Sequence, residues 1–193
     1  MDSNAKHLQN WQIENENIRA DYLSAKNAFP EMSEAKLNLS WSNWGFGMEP
    51  LQTSIKRLAD NGIKYIELHG NRYGADLGYK SSEVRTMLDD HGMSMSGICG
   101  MFSAENDLSS NSGVSRQMAI DYIKRNVELG SELGARYFLI VPGAVGRPSA
   151  YDDTEVDRSI ETLRLVADVF VQAGIRGAVE PIRSAEVSII HTF

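Results

Sequence analysis

The fold is decided by the stretch Ala173-Gly174-Ile175-Arg176-Gly177-Ala178-Val179-Glu180-Pro181. Gly174 reads as a helix stop, because a glycine just past a helix takes the left-handed conformation that closes its last turn. Ile175 to Val179 then read as a short buried strand. Glu180 stands where that strand ends, and Pro181 cannot continue a ladder. A carboxylate in that place serves packing badly and chemistry well.

The same phrase occurs three more times upstream. Asn61-Gly62-Ile63-Lys64, His91-Gly92-Met93-Ser94 and Leu133-Gly134-Ala135-Arg136 each place a glycine before an apolar and then a polar residue. Each predicts a helix that ends and a strand that runs beneath it, so the chain is a βα array. The expected strands are 37–41, 63–68, 94–99, 136–141 and 176–180. The expected helices are 50–61, 82–91, 114–133 and 154–173, with a further helix starting near Glu186. Leu51, Ile55, Leu58 and Ala59 form one apolar stripe, and Val156, Ile160, Leu163, Ala167 and Phe170 another.

Alternating βα units imply parallel strands, in either an open doubly wound sheet or a (β/α)₈ barrel. The open fold calls for a phosphate fingerprint after strand one. Gly45 and Gly47 are present, but Pro50 fills the third position. Tyr65, Glu67 and His69 share one face of strand two, and a polar inner face suits a barrel mouth better than a sheet covered on both sides. The fold class is therefore α/β, a parallel TIM-barrel-type array with about five of the expected eight βα units, preceded by an N-terminal helical extension. Residues 1–35 form that helical arm and 36–193 the barrel domain, an incomplete one on this strand count.

The 193 residues carry a formal net charge of −7 and a hydrophobic fraction of 42%, enough for one core and unlike the basic footprint of nonspecific nucleic-acid binding. The single cysteine, Cys99, fits a reducing, cytoplasmic setting and reads as a small buried hydrophobe. No apolar run approaches the roughly 20 residues that span a membrane.

A barrel keeps its chemistry on the loops after its strands. Those loops offer Trp41 with Ser42, Asn43 and Trp44; Glu67, His69, Asn71 and Arg72; Ser103, Asn106 and Asp107; Arg147; and Glu180, Arg183 and Glu186. The mixture suits a small polar ligand with apolar faces, such as a sugar. Glu180 is the strongest candidate, as a hard oxygen ligand for Mn²⁺, Mg²⁺ or Co²⁺ or as a base beside a carbonyl; the alternative is a salt bridge to Arg183 or Arg176. Glu67 and His69 are a metal or acid/base pair, or an inner-face hydrogen-bond network. Arg147 binds a phosphate or carboxylate, or is a solvated loop arginine. Trp41 stacks on a sugar or caps strand one.

Several stretches resemble the sugar phosphate isomerase/epimerase superfamily, the xylose-isomerase-like barrels that include the ketose 3-epimerases. They are Gly62-Ile63-Lys64-Tyr65-Ile66-Glu67-Leu68-His69-Gly70, Gly97-Ile98-Cys99-Gly100-Met101, Asn106-Asp107-Leu108-Ser109-Ser110, the helix from Arg116 to Leu133, and Val179-Glu180-Pro181-Ile182-Arg183-Ser184-Ala185-Glu186. The resemblance implies a divalent-metal-dependent sugar, sugar phosphate or polyol isomerase or epimerase working through a metal-stabilised enediolate. It makes Glu180 both metal ligand and catalytic carboxylate, and Glu186 a substrate contact. Arg183, His69, Glu67, Trp41 and Arg147 complete the expected substrate site. Arg183-Ser184 replaces the Asn-Arg pair of the ketose epimerases. The resemblance puts the other metal ligands on strands six to eight, beyond Phe193, so this chain alone is expected to be inactive. The expected partners are a small-molecule sugar and further copies of the chain, with no nucleic acid or membrane. The competing readings are an abasic-site endonuclease-like metal phosphodiesterase and a non-catalytic sugar-binding barrel.

Overall fold

A computed structural model describes residues 10–33, 37–70 and 78–192. Asn71 and Arg72 lie outside the described residues. The chain forms two compact units, residues 1–37 and 38–193. The first contains α1 (Asn10–Ala28) and a 3₁₀ turn (Pro30–Ser33).

The second unit alternates strand and helix. Its elements are β1 (Ser40–Ser42), α2 (Leu51–Asp60), β2 (Tyr65–His69), α3 (Ser81–Asp90), β3 (Ser94–Cys99), α4 (Gly113–Leu133), β4 (Tyr137–Ile140), α5 (Glu155–Ala173) and β5 (Arg176–Val179). All neighbouring strands are parallel. The sheet order is β1-β2-β3-β4-β5. Each strand adds to the same edge, so the order never reverses as it does in a doubly wound sheet. Sequential parallel order is the barrel pattern.

The four glycines close their helices in one way. Gly62, Gly92, Gly134 and Gly174 have φ between 61 and 75°. The next residue donates its N–H five residues back, Ile63 to Leu58 (3.0 Å), Met93 to Leu88 (2.9 Å), Ala135 to Gly130 (2.8 Å) and Ile175 to Phe170 (3.1 Å). This is the Schellman closure, which satisfies the last carbonyls and turns the chain into the strand below.

Strand alternation divides the sheet into two faces. Ile66, Leu68, Met95, Ile98, Phe138 and Ile140 are buried under the helices with Ile55, Leu88, Ile123, Val127, Val166 and Phe170. The opposite face carries Tyr65, Glu67, His69, Ser96, Cys99 and Tyr137, all partly exposed. That face is polar, as expected of a barrel interior near its mouth.

Two elements differ from the sequence reading. Strand one is Ser40–Ser42, not 37–41: Leu37 and Leu39 alternate like strand residues but are exposed and unpaired with β2. No helix begins at Glu186; residues 184–186 form a turn, and Val187 makes an isolated bridge to Arg147. Val187 and Ile189 are buried, with Ser188 between them. That period of two is not the spacing of a helix face. Among the described residues, no helix is long and apolar enough to cross a membrane.

Candidate functional site

Glu180 follows β5 directly and its N–H donates to the Ile140 carbonyl at 2.9 Å. The ladder with β4 therefore runs through Glu180 before Pro181 ends it. Alternation along β5 places it on the face of Ala178, whose Cα is in register with Leu139 on the polar face. The carboxylate is half-buried, and among the described residues it forms no ion pair. Arg183 turns instead to Glu186, donating through Nε at 2.7 Å. Arg176 lies at the opposite end of β5. Burial pushes the Glu180 pKa up, and the negative charges of Glu67 and Glu186 push it further. A carboxylate that is awkward to ionise and lacks a cation is suited to accept a proton or a metal ion.

Glu67 is held by a residue the sequence reading missed. The Tyr137 hydroxyl on β4 donates to Glu67 Oε2 on β2 at 2.7 Å, across the intervening β3. Gly97 makes this reach possible: a Cβ there would lie 2.5 Å from the Tyr137 ring. Burial and the Glu67 carboxylate together push the Tyr137 pKa up to about 12, so it stays a donor. Gly97→Ala is expected to displace the ring and destabilise the chain by about 1–3 kcal/mol. Urea unfolding checks the cost, and loss of the Tyr137–Glu67 contact in a crystal structure checks its cause.

Glu67→Gln removes one of the charges facing Glu180. The Glu180 pKa should fall toward the ordinary carboxylate range while staying above it, because burial and Glu186 remain. Carboxyl-carbon NMR titration reads this directly; an unchanged value would mean that Glu67 is not a neighbour of Glu180.

His69 shares the polar face with Glu67, and its backbone is fixed on both sides. Its N–H donates to buried Asn43 Oδ1 at 2.6 Å, and its carbonyl accepts from the Tyr79 hydroxyl at 3.1 Å. Cys99 lies beside this group; burial first, then Glu67 and Glu180, push its thiol up to about 12. It is an inert thiol on the inner face, more exposed than the buried hydrophobe expected from sequence.

Trp41 and Arg147 lie apart from this group. The Cα of Trp41 is in register with Ile66, on the helix-covered face, and its ring stacks on Phe46 with centroids 6.5 Å apart. Alternation from Ser42, in register with Glu67, puts Trp41 on the wrong side for a ligand at Glu180. Arg147 is neither solvated nor open to an anion. Its Nη2 donates to Asp107 Oδ2 at 2.9 Å and to Glu155 Oε1, and its guanidinium lies 4.0 Å over the Tyr151 ring. Asp107 and Glu155 are buried at 0% and 1% exposure. Tyr151 N–H and the Ser188 hydroxyl also donate to Glu155, at 2.9 and 2.7 Å. The Ser109 hydroxyl lies 2.7 Å from both Asp107 Oδ1 and Glu155 Oε1 and donates to one at a time.

This network ties the loop after β3, the loop after β4 and the start of α5 to the segment that follows Glu180. Gly146 N–H donates to the Glu186 carbonyl at 2.8 Å, so the same network fixes the backbone of Glu186. Among the described residues no group of three His, Cys, Asp or Glu side chains could hold a metal ion.

A family model described as a xylose isomerase-like TIM barrel matches residues 55–193. No curated protein matches the sequence. Among solved structures, a D-allulose 3-epimerase from Methylomonas sp. with additional C-terminal residues superposes with a TM-score of 0.72 at 16% identity, covering 81% of this chain and 56% of that one. An L-ribulose 3-epimerase gives 0.68 at 19%, covering 80% and 53%. A 3-keto-D-glucoside 4-epimerase from E. coli gives 0.68 at 17%, covering 80% and 60%. At these identities the likeness is one of fold, and the chain spans about half the length of the structures it matches.

Proposed function

Since the chain belongs to the xylose isomerase-like TIM barrel family, we propose that it carries half of the active site of a sugar isomerase or epimerase. The substrate is an open-chain sugar with a carbonyl, free or phosphorylated. One observation carries the reading: a half-buried carboxylate at the carboxyl end of β5, without an ion pair among the described residues, whose pKa is raised by burial and by Glu67 and Glu186.

Glu180 removes the proton from the carbon beside the carbonyl, a step that favours a base whose pKa is raised toward the working pH. A second carboxylic acid on the opposite face would protonate the carbon from that side and invert it, leaving the first proton on Glu180; delivery of the Glu180 proton to the neighbouring carbon would instead isomerise the sugar. Glu186, fixed through its backbone by Gly146, orients a substrate hydroxyl. Arg183 sets the direction of the Glu186 side chain. Glu67, braced by Tyr137, and the neighbouring His69 line the inner face below. A divalent ion (Mn²⁺, Co²⁺ or Mg²⁺) supplies Lewis acidity to the carbonyl when bound. Of its ligands the described residues would offer Glu180; the others would come from strands outside these 193 residues.

The test has two arms. The whole protein, loaded with Mn²⁺, is incubated with a panel of free and phosphorylated ketoses and aldoses, and interconversion is followed by NMR; no turnover of any of them contradicts the proposal. The 193-residue chain alone is titrated calorimetrically with Mn²⁺. Binding should be weak, with a dissociation constant of about 10⁻⁴–10⁻³ M, and the chain should be inactive. A tight stoichiometric site on the short chain would show that the site is built differently.

A further inference from the structure

The N-terminal helix has a pattern that the barrel chemistry does not use. No residue of α1 is buried. At 100° per residue, Trp11, Asn15, Ile18, Tyr22, Ala25 and Phe29 fall within about 40° of one line down the helix. Phe29 belongs to it because its N–H still donates to the Ala25 carbonyl, at 2.9 Å. Ile18, Tyr22 and Phe29 are 57%, 61% and 52% exposed. The spacing alternates four and three residues, so Ile18 and Ala25 take d positions and Asn15, Tyr22 and Phe29 take a positions of a heptad.

The flanks decide what covers this seam. Glu14 and Asp21 occupy the g positions on one side, and Arg19 and Lys26 the e positions on the other. Among the described residues none of the four forms an ion pair. In a parallel pair of identical helices each g residue faces the e residue five positions on in its partner. Glu14 then meets Arg19, and Asp21 meets Lys26, on both sides of the seam. In an antiparallel pair g faces g and e faces e, so carboxylate meets carboxylate and cation meets cation. Asn15 at an a position is the polar residue that fixes register and favours two strands.

We propose that α1 is a dimerisation helix that pairs in parallel, in register, with α1 of a second copy of this chain. The interface is short, under three heptads, so the association is weak, with a dissociation constant on the order of tens of micromolar. It is independent of the sugar chemistry proposed above, and either can fail without the other.

Sedimentation equilibrium on the full chain tests it. At about 100 µM the chain should show a monomer–dimer equilibrium. Tyr22→Asp, which puts a charge in the seam, should abolish the dimer. The variant Glu14→Lys/Asp21→Lys and the variant Arg19→Glu/Lys26→Glu should each self-associate at least about tenfold more weakly than the parent. An equimolar mixture of the two should recover a heterodimer within about threefold of parental affinity. The proposal is overturned if the chain stays monomeric at about 200 µM, if Tyr22→Asp leaves the dimer intact, or if the two charge variants associate no better together than apart. Far-ultraviolet circular dichroism confirms that each variant keeps its helix content, so loss of the dimer cannot be assigned to loss of α1.

Discussion

Glu155→Ala should destabilise the chain by about 3–5 kcal/mol, the cost of breaking a buried charge network by removing one member. For a chain of this size that corresponds to a drop of roughly 10 °C in the unfolding midpoint. Glu155 is 1% exposed and accepts from Arg147, Ser188 and the Tyr151 N–H. Its loss orphans these donors and leaves the Arg147 guanidinium, 15% exposed, with Asp107 as its one remaining carboxylate. The pH dependence identifies the mechanism. Burial opposes ionisation of Glu155, but hydrogen bonds from Arg147, Ser188 and Ser109 and from the Tyr151 backbone outweigh it and hold its pKa down at about 2, against an ordinary 4.5. A depressed carboxylate stabilises the fold above its unfolded pKa and loses that contribution as the pH falls toward its folded value. The gap between parent and variant should therefore be full above about pH 5 and close between 4.5 and about 2. A gap that persists to pH 2 would assign the loss to packing alone.

Glu180→Gln should act in the opposite sense on stability and far more strongly on turnover. In the whole protein, loss of the carboxylate proposed as acid/base should lower turnover by about 10²–10⁴-fold, with the loss in kcat rather than KM if chemistry limits the rate. The 193-residue chain should become slightly more stable, by about 1–2 °C. The sign follows from the raised pKa of Glu180. A carboxylate raised in the folded state contributes stability that is fully present below its unfolded pKa and lost as the pH rises through its folded pKa. At neutral pH the ionised group opposes the fold, and the amide relieves it of repulsion from Glu67 and Glu186. The gain should shrink below about pH 4, where the parent is protonated as well. A residue kept for structure would behave oppositely, losing stability on substitution and leaving turnover alone.

The repeating frame was legible in the sequence because it is local. Each Gly174-type closure needs only the left-handed glycine and the apolar residue after it, and β3 occupies the expected Ser94–Cys99. Glu180 was legible for the same reason, as a carboxylate between a short strand and a proline. Leu37 misled because alternation reports spacing and not pairing: the β1 ladder begins only at Ser40. Glu186 misled because a carboxylate after small residues resembles a helix start, whereas Val187 and Ile189 are buried in alternation and Val187 bridges to Arg147.

The remaining contacts depend on distances in sequence that no local pattern reports. Tyr137 reaches Glu67 across 70 residues, and Arg147 reaches Asp107 across 40. Arg147 looks from its neighbours like a loop cation free to bind an anion. Only the fold brings two buried carboxylates to it, which fixes its role as the brace behind the mouth of the barrel. Trp41 ends strand one in the sequence, but only the pairing with β2 shows its register with Ile66, which sets it on the helix-covered face.

The central claim is that Glu180 moves a proton at the carbon beside a sugar carbonyl. It is tested most directly by deuterium exchange in D₂O, with Mn²⁺-loaded whole protein, a panel of ketoses and NMR detection. The parent should place deuterium on the carbon beside the carbonyl of its substrate, and Glu180→Gln should lose that exchange while remaining folded. Exchange that survives in Glu180→Gln at the parental rate would contradict the assignment of Glu180 as the catalytic carboxylate.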